Sequence, residues 1–209
     1  MFTDLSVTDL VVVLLSIIIA LSIHEAMHAY VAHWLGDDTA HDMGRLTLNP
    51  LKHIDALTTV LLPMVLLLSG LPPFFIAKPV PFNPDRVKYE EFGAALVGVA
   101  GPLTNLVLAG IAAIIFRVSG TDTNSFFNNA LILFTEVNVA FFIFNMIPFP
   151  PLDGSRLLYA FAPEPLQEVM RQIEGFGFFG IIIFMLIIFQ FVSGPIINIE
   201  SHIIQFLLG

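Results

Sequence analysis

Apolar residues run through this chain in long unbroken blocks, not in the alternating spacing of a half-buried strand or the stripe of a soluble helix. Residues 10–35, 92–118, 130–147 with the residues just before them, and 176–192 approach or exceed the roughly 20 helical residues that cross about 30 Å of hydrocarbon. A fifth block, 56–71, is shorter, contains Pro63 and breaks at Gly70 and the pair Pro72-Pro73. That pattern fits a re-entrant or half-crossing segment as well as it fits a span. Residues 43–48 read as a short strand, and residues 77–82 as a second extended piece, because Lys78-Pro79 and Val80-Pro81 each place a residue before proline and disfavour helix. The final stretch, 195–209, is apolar but carries Glu200 and His202 and reads as an interfacial helix. The expected fold is therefore all-α and polytopic, with four to six membrane helices and a small β or re-entrant element after the first. Residues 1–209 form one expected domain, with a core over about 10–158, a membrane helix at 174–193 and the interfacial helix at 195–209.

Composition agrees with that pattern. Hydrophobic residues make up 56% of the chain and charged residues 12%, and the mean hydropathy is +0.87. A water-soluble globule of this size could not cover its surface with so few polar groups. The formal net charge of -9, with eight Lys and Arg in all, argues against nucleic acid as a partner and leaves no basic face for anionic lipid. The chain has no cysteine, so disulfides, thiolate metal sites and cysteine nucleophiles are excluded together; a metal must be held by His and carboxylates. The N-terminus lacks a basic region and a small-residue cleavage site, so its apolar block is expected to be retained.

Charge placement orients the spans, since short cytoplasmic loops carry an excess of Lys and Arg. If 56–71 does not cross, Arg45, Lys52, Lys78, Arg86, Lys88, Arg156 and Arg171 share one side and only Arg117 lies on the other; if it crosses, the split is five against three. Four crossings plus a re-entrant segment follow, with the N-terminus outside and residues 36–91 cytoplasmic.

The first apolar block contains His24-Glu25-Ala26-Met27-His28, an HExxH pattern. Histidines four residues apart sit on one helix face about a turn apart, so both imidazoles reach one zinc ion, and the intervening Glu25 reaches a water on that metal as general base. A carboxylate and two imidazoles inside an apolar helix cost several kcal/mol, and such groups are by default functional. A catalytic zinc also needs a third protein ligand. Asp153 is the outstanding acidic candidate: it follows a long apolar block and sits beyond Pro148, Pro150 and Pro151, which break the helix. It could equally cap the helix that continues through Arg156 and Leu158, since Asp is a favoured N-cap. His33, His41, His53 and His202 read as surface residues, and Asp37, Asp38 and Asp42 as a solvated acidic loop.

Taken together, these residues resemble the site-2 protease family of intramembrane zinc metalloproteases. The likeness rests on HExxH in an apolar helix, on Asn145 through Gly154, which is similar to the family's N-x-x-P-x-P-x-L-D-G signature, and on Gly101-Pro102-Leu103-Thr104-Asn105, similar to its G-P-x-x-N element. The motifs stand in the family's order, and the stretches Gly44 to Pro50 and Lys78 to Pro81 resemble the compact subgroup without PDZ or CBS domains. The resemblance implies one zinc per chain on His24, His28 and Asp153, with Asn105 positioning substrate or stabilising the reacting carbonyl oxygen and Asn145 positioning substrate. It also implies that the helices bearing HExxH and leading to Asp153 run the same way. Members cleave transmembrane helices of other proteins in the bilayer, so the expected partner is a transmembrane substrate and the expected location a prokaryotic cell membrane, multi-pass. Such a substrate must be unwound and held extended, and a strand near Leu46 or near Val80 is the expected edge for strand addition, with Val80 and Pro81 as its expected substrate-positioning residues. A polar-cored transporter and a catalytically silent metal-binding scaffold are the competing classes. The lack of internal duplication disfavours the first, and the intact Glu25 disfavours the second.

Overall fold

The computed structural model describes residues 6–55, 59, 61, 78–120, 122–123, 125–185 and 189–209. Helix α1, Val7–Trp34, starts at a capping box in which the Ser6 hydroxyl accepts from the Asp9 amide and the Asp9 carboxylate accepts from the Ser6 amide. It stops at Gly36, whose φ of +106° lies in the left-handed region open to glycine. A single-turn helix α2, Thr39–Asp42, follows. Two 3-10 turns, Pro50–Lys52 and Pro84–Arg86, are each opened by an asparagine side chain, Asn49 and Asn83, that accepts from the amide two residues on. Then come α3, Glu90–Ser119, and α4, Phe126–Asn145, the short helices α5, Ser155–Phe161, α6, Glu164–Gly175, and α7, Phe178–Ile183, and finally α8, Phe189–Leu208.

Among the described residues, α1, α3, α4 and residues 190–208 of α8 are long and apolar enough to cross a membrane. The first three form the centre of the molecule. Helices α1 and α4 run the same way: Asn129 near the start of α4 donates to the Asp9 carboxylate near the start of α1, and Val13, Ile17 and Leu21 pack with Leu133, Val137 and Phe141. Between these ends α3 runs antiparallel, its residues 97 to 105 passing His28 first and Ala20 last. With α1, α3 and α4 so arranged, Arg117 stands at the opposite end of α3 from Lys88.

Three expectations change. No strand forms among the described residues, and 43–48 is a turn followed by irregular chain. The amides of Met43, Gly44 and Arg45 close the preceding helix on the carbonyls of Thr39, His41 and Ala40, which leaves them no partner strand. Residues 78–82 are likewise irregular, and Pro79 and Pro81 lack the N–H that a ladder needs. The re-entrant reading of 56–71 falls almost wholly outside the described residues.

The third change is at the C-terminus, where the span was expected over 174–193 and an interfacial helix over 195–209. The structure shows one helix from Phe189 through Pro195 to Leu208, across the expected boundary between the two segments. Ile196, Ile203, Ile204 and Leu207 form a stripe that packs on Ala109, Val139 and Ile143 of α3 and α4, and Arg117 donates to the Phe206 carbonyl at 2.6 Å. That stripe has helical spacing, so one face of the helix packs on α3 and α4 although the helix carries Glu200 and His202.

Candidate metal centre

His24 and His28 lie on the buried face of α1, 4% and 8% exposed. Each ring is fixed through Nδ1. The His28 Nδ1–H donates to the Val97 carbonyl at 2.7 Å, and His24 Nδ1–H donates to Asn105 Oδ1 at 2.6 Å. Asn105 is itself fully buried, its Nδ2 donating to Asn138 Oδ1 at 3.0 Å and to the Ala20 carbonyl at 3.4 Å. With both protons committed at Nδ1, both Nε2 atoms present lone pairs. They face each other at 3.0 Å.

Asp153 completes the group from the far end of the sequence. After Asn145 the chain folds into a compact turn in which Gly154 N donates to the Asn145 carbonyl at 2.6 Å and Leu152 N to the Phe149 carbonyl at 2.8 Å. A Cβ on Gly154 would collide with the Met146 and Ile147 carbonyls, so only glycine fits the turn. This aims the Asp153 carboxylate at α1: Oδ2 stands 3.0 Å from His24 Nε2 and 3.4 Å from His28 Nε2. Asp153 does not cap α5, whose N-cap is Gly154 and which receives no side-chain cap.

Three electron-pair donors thus converge with no hydrogen-bond donor among them, and all three atoms lie within 4.8 Å of one another. Zinc bonds of about 2.0–2.1 Å at tetrahedral angles separate neighbouring ligand atoms by about 3.4 Å, close to the triangle found here. Two imidazoles and a carboxylate are a zinc donor set, and the residues present fit that ion.

Helix α3 closes over the triangle at Gly101. A Cβ there would stand 2.5 Å from His28 Nε2 and 2.6 Å from His24 Nε2, so the helix backbone reaches the ligand atoms only because the side chain is absent. The half-buried Glu25 next to His24 accepts from the Val80 amide through Oε2 at 2.8 Å.

No family model and no solved structure matches the chain. A Bacillus subtilis protein named "putative zinc metalloprotease YwhC" is 35% identical over 192 residues, which cover 88% of this chain and 84% of that protein. The chain belongs to the site-2 protease family of zinc metalloproteases. Two further members carry the name "putative zinc metalloprotease Rip2": that of Mycolicibacterium smegmatis is 26% identical over 81% of this chain and 64% of its own length. That of Mycobacterium tuberculosis strain H37Rv is 26% identical over 86% of this chain and 66% of its own length.

Within this family member the structure brings together His24, His28, Asp153, Asn105, Glu25 and Val80. Pro81 follows Val80 at intermediate exposure, without an N–H of its own. Asn145 is not at the triangle; its Nδ2 donates back to the Phe141 carbonyl within α4. Asn105, expected to position substrate or stabilise the reacting carbonyl oxygen, has both ends of its amide engaged inside the bundle and holds the His24 ring. Asn138 and Arg45 escaped the sequence reading. Asn138 had a usable signal, a polar residue within an apolar helix. Arg45 had none, because burial of an arginine in a loop leaves no periodic trace.

Proposed function

We propose that this protein hydrolyses peptide bonds within transmembrane segments of membrane-protein substrates, with one zinc ion per chain on His24, His28 and Asp153 and with Glu25 as general base. The observation that carries this reading is the meeting of two ring nitrogens and a carboxylate oxygen, 129 residues apart in sequence, inside a bundle of helices apolar enough for a bilayer. Zinc held by these three residues would polarise a carbonyl and lower the pKa of a bound water to about 7.

The protein's own groups do the rest. Glu25, one residue from His24, takes the proton of the attacking water and returns it to the leaving amine. Asn105 and the Val97 carbonyl hold the two imidazoles in the Nδ1–H tautomer, which keeps Nε2 basic and aimed. The apolar helices around the site limit competing water. Residues 78–82, with Val80 and Pro81, align the unwound substrate beside Glu25. A substrate carbonyl that accepts from the Val80 N–H releases it from Glu25 and so frees the carboxylate for the reaction. The working site is a multi-pass position in a bacterial cell membrane, with a lipid bilayer and a transmembrane substrate as partners and no nucleic acid.

The test uses purified protein in detergent with labelled single-span helix peptides. Cleavage that stops with a chelator, returns with zinc and is absent in Glu25→Gln is the expected result. Cleavage that persists in Glu25→Gln would overturn the assignment of the base, and a wild-type protein that binds zinc but cuts nothing would overturn the protease reading.

A further inference from the structure

Residues 78–83 lie as a short strap beside the metal triangle, and its bonds lead to the site and the loops that frame it. Lys78 N donates to the His53 carbonyl at 2.9 Å, Val80 N to Glu25, and Asn83 N to the Asp37 carboxylate at 2.6 Å. Because Pro79 and Pro81 have no N–H, Val80 carries the sole amide over residues 79–81, and that amide is the one that meets the general base. The strap's carbonyls are held from one side chain. Arg45 Nη2 donates to the Lys78 carbonyl at 2.7 Å and reaches the Pro79 carbonyl at 3.5 Å.

Arg45 is an unusual residue for this place. It is 6% exposed, no carboxylate lies within ion-pair distance among the described residues, and its buried Nε has no partner. A buried guanidinium without a paired anion is costly to desolvate, and two carbonyl contacts compensate it only in part. Val80, half-buried Leu46, Ala29 and Ala40 pack around the same corner, so the guanidinium and the base address one short piece of backbone from its two ends.

We propose that Arg45 is a positioning residue for the reaction: by fixing the carbonyls of Lys78 and Pro79 it presents the Val80 N–H to the site, where that N–H holds Glu25 at rest and receives substrate backbone in turnover. This rests on the proteolytic reading above. Both contacts come from one nitrogen, Nη2, so a lysine ammonium that reaches the same place keeps the charge and part of the contact, without the planar group that fixes its direction.

The decisive experiment is a double-mutant cycle between Arg45→Gln and Val80→Pro, which deletes the amide through which Arg45 is said to act. With a labelled single-span helix peptide, Arg45→Gln should lower kcat/KM about tenfold at unchanged zinc content, and Arg45→Lys should recover part of the loss. In the Val80→Pro background, Arg45→Gln should change kcat/KM less than twofold. Losses that multiply across the cycle, or that track zinc loss, overturn the proposal. If Val80→Pro does not fold, hydrogen exchange over residues 78–83 decides: faster exchange in Arg45→Gln supports the proposal and unchanged exchange overturns it. A wild-type protein that cuts no peptide sinks the proteolytic reading instead, and the exchange measurement then judges the strap contact independently.

Discussion

A methyl group on Gly101 would stand 2.5 Å from one ligand nitrogen and 2.6 Å from the other, closer than carbon and nitrogen approach without a bond. The helix cannot back away freely, because Asn105 one turn later is tied to His24, Asn138 and Ala20. Gly101→Ala is therefore expected to lose most bound zinc and to cut activity at least about a hundredfold, while Gly110→Ala, in open space on the same helix, leaves metal analysis and rate unchanged. Equal zinc content in the two variants would show that α3 does not press on the ligands. Asn105→Ala probes the same contact from the ring side. Removing the acceptor from His24 Nδ1 frees the tautomer and the ring angle, and zinc affinity measured by competition with a chelator should fall about 10- to 100-fold. An unchanged affinity would mean that packing alone orients the ring.

At the scale of elements, the junction after α1 turns on Asp37, which is fully buried. Burial raises the Asp37 carboxyl, but the Thr39 hydroxyl, the amides of Asn83 and Thr39 and the charge of Arg86 outweigh it and hold the group below the usual carboxylate range. A depressed folded-state pKa means stability that is present above the unfolded value near about 3.9 and is lost as pH falls through the lower folded value. Asp37→Asn should thus melt below wild type by an amount worth about 1 to 3 kcal/mol between about pH 5 and 8, and the gap should close below about pH 4. A gap that stays constant through acidification would assign the effect to packing and not to the charge. Because Asp37 also binds Asn83, this junction anchors the far end of the strap that meets Glu25.

The whole molecule is organised by two parallel helices with an antiparallel one between them, and α8 laid on the outside of α3 and α4. If α8 crosses the bilayer parallel to α3, residue 209 emerges on the side of Gly120 and Asp122, away from the acidic loop after α1. The chain has no cysteine, which makes the point simple to check with single substitutions. Gly209→Cys and Asp122→Cys should react with a membrane-impermeant maleimide from one face, and Asp38→Cys from the other. Labelling of Gly209→Cys together with Asp38→Cys would show that α8 does not cross.

Apolar runs and the His24-Glu25-x-x-His28 spacing were legible in the sequence because both are local: helix period and hydrocarbon thickness act on neighbouring residues, wherever the rest of the chain lies. The parallel course of α1 and α4 was implied by the family resemblance and agreed with the placement of Lys and Arg. Local reading failed where a segment's state depends on a distant partner. Residues 43–48 have a strand composition, but their first amides close α2; residues 195–208 carry polar groups, but an isoleucine stripe binds them to α3 and α4. Asp153 is the clearest case, since its residue type fits a cap and a ligand equally well, and only the turn at Gly154 decides which way the carboxylate faces. The sequence determined which residues can bind a metal and which segments must leave water. Tertiary structure alone decided which of them meet, because convergence across 129 residues is set by packing and by a glycine's missing side chain, neither of which leaves a periodic signal.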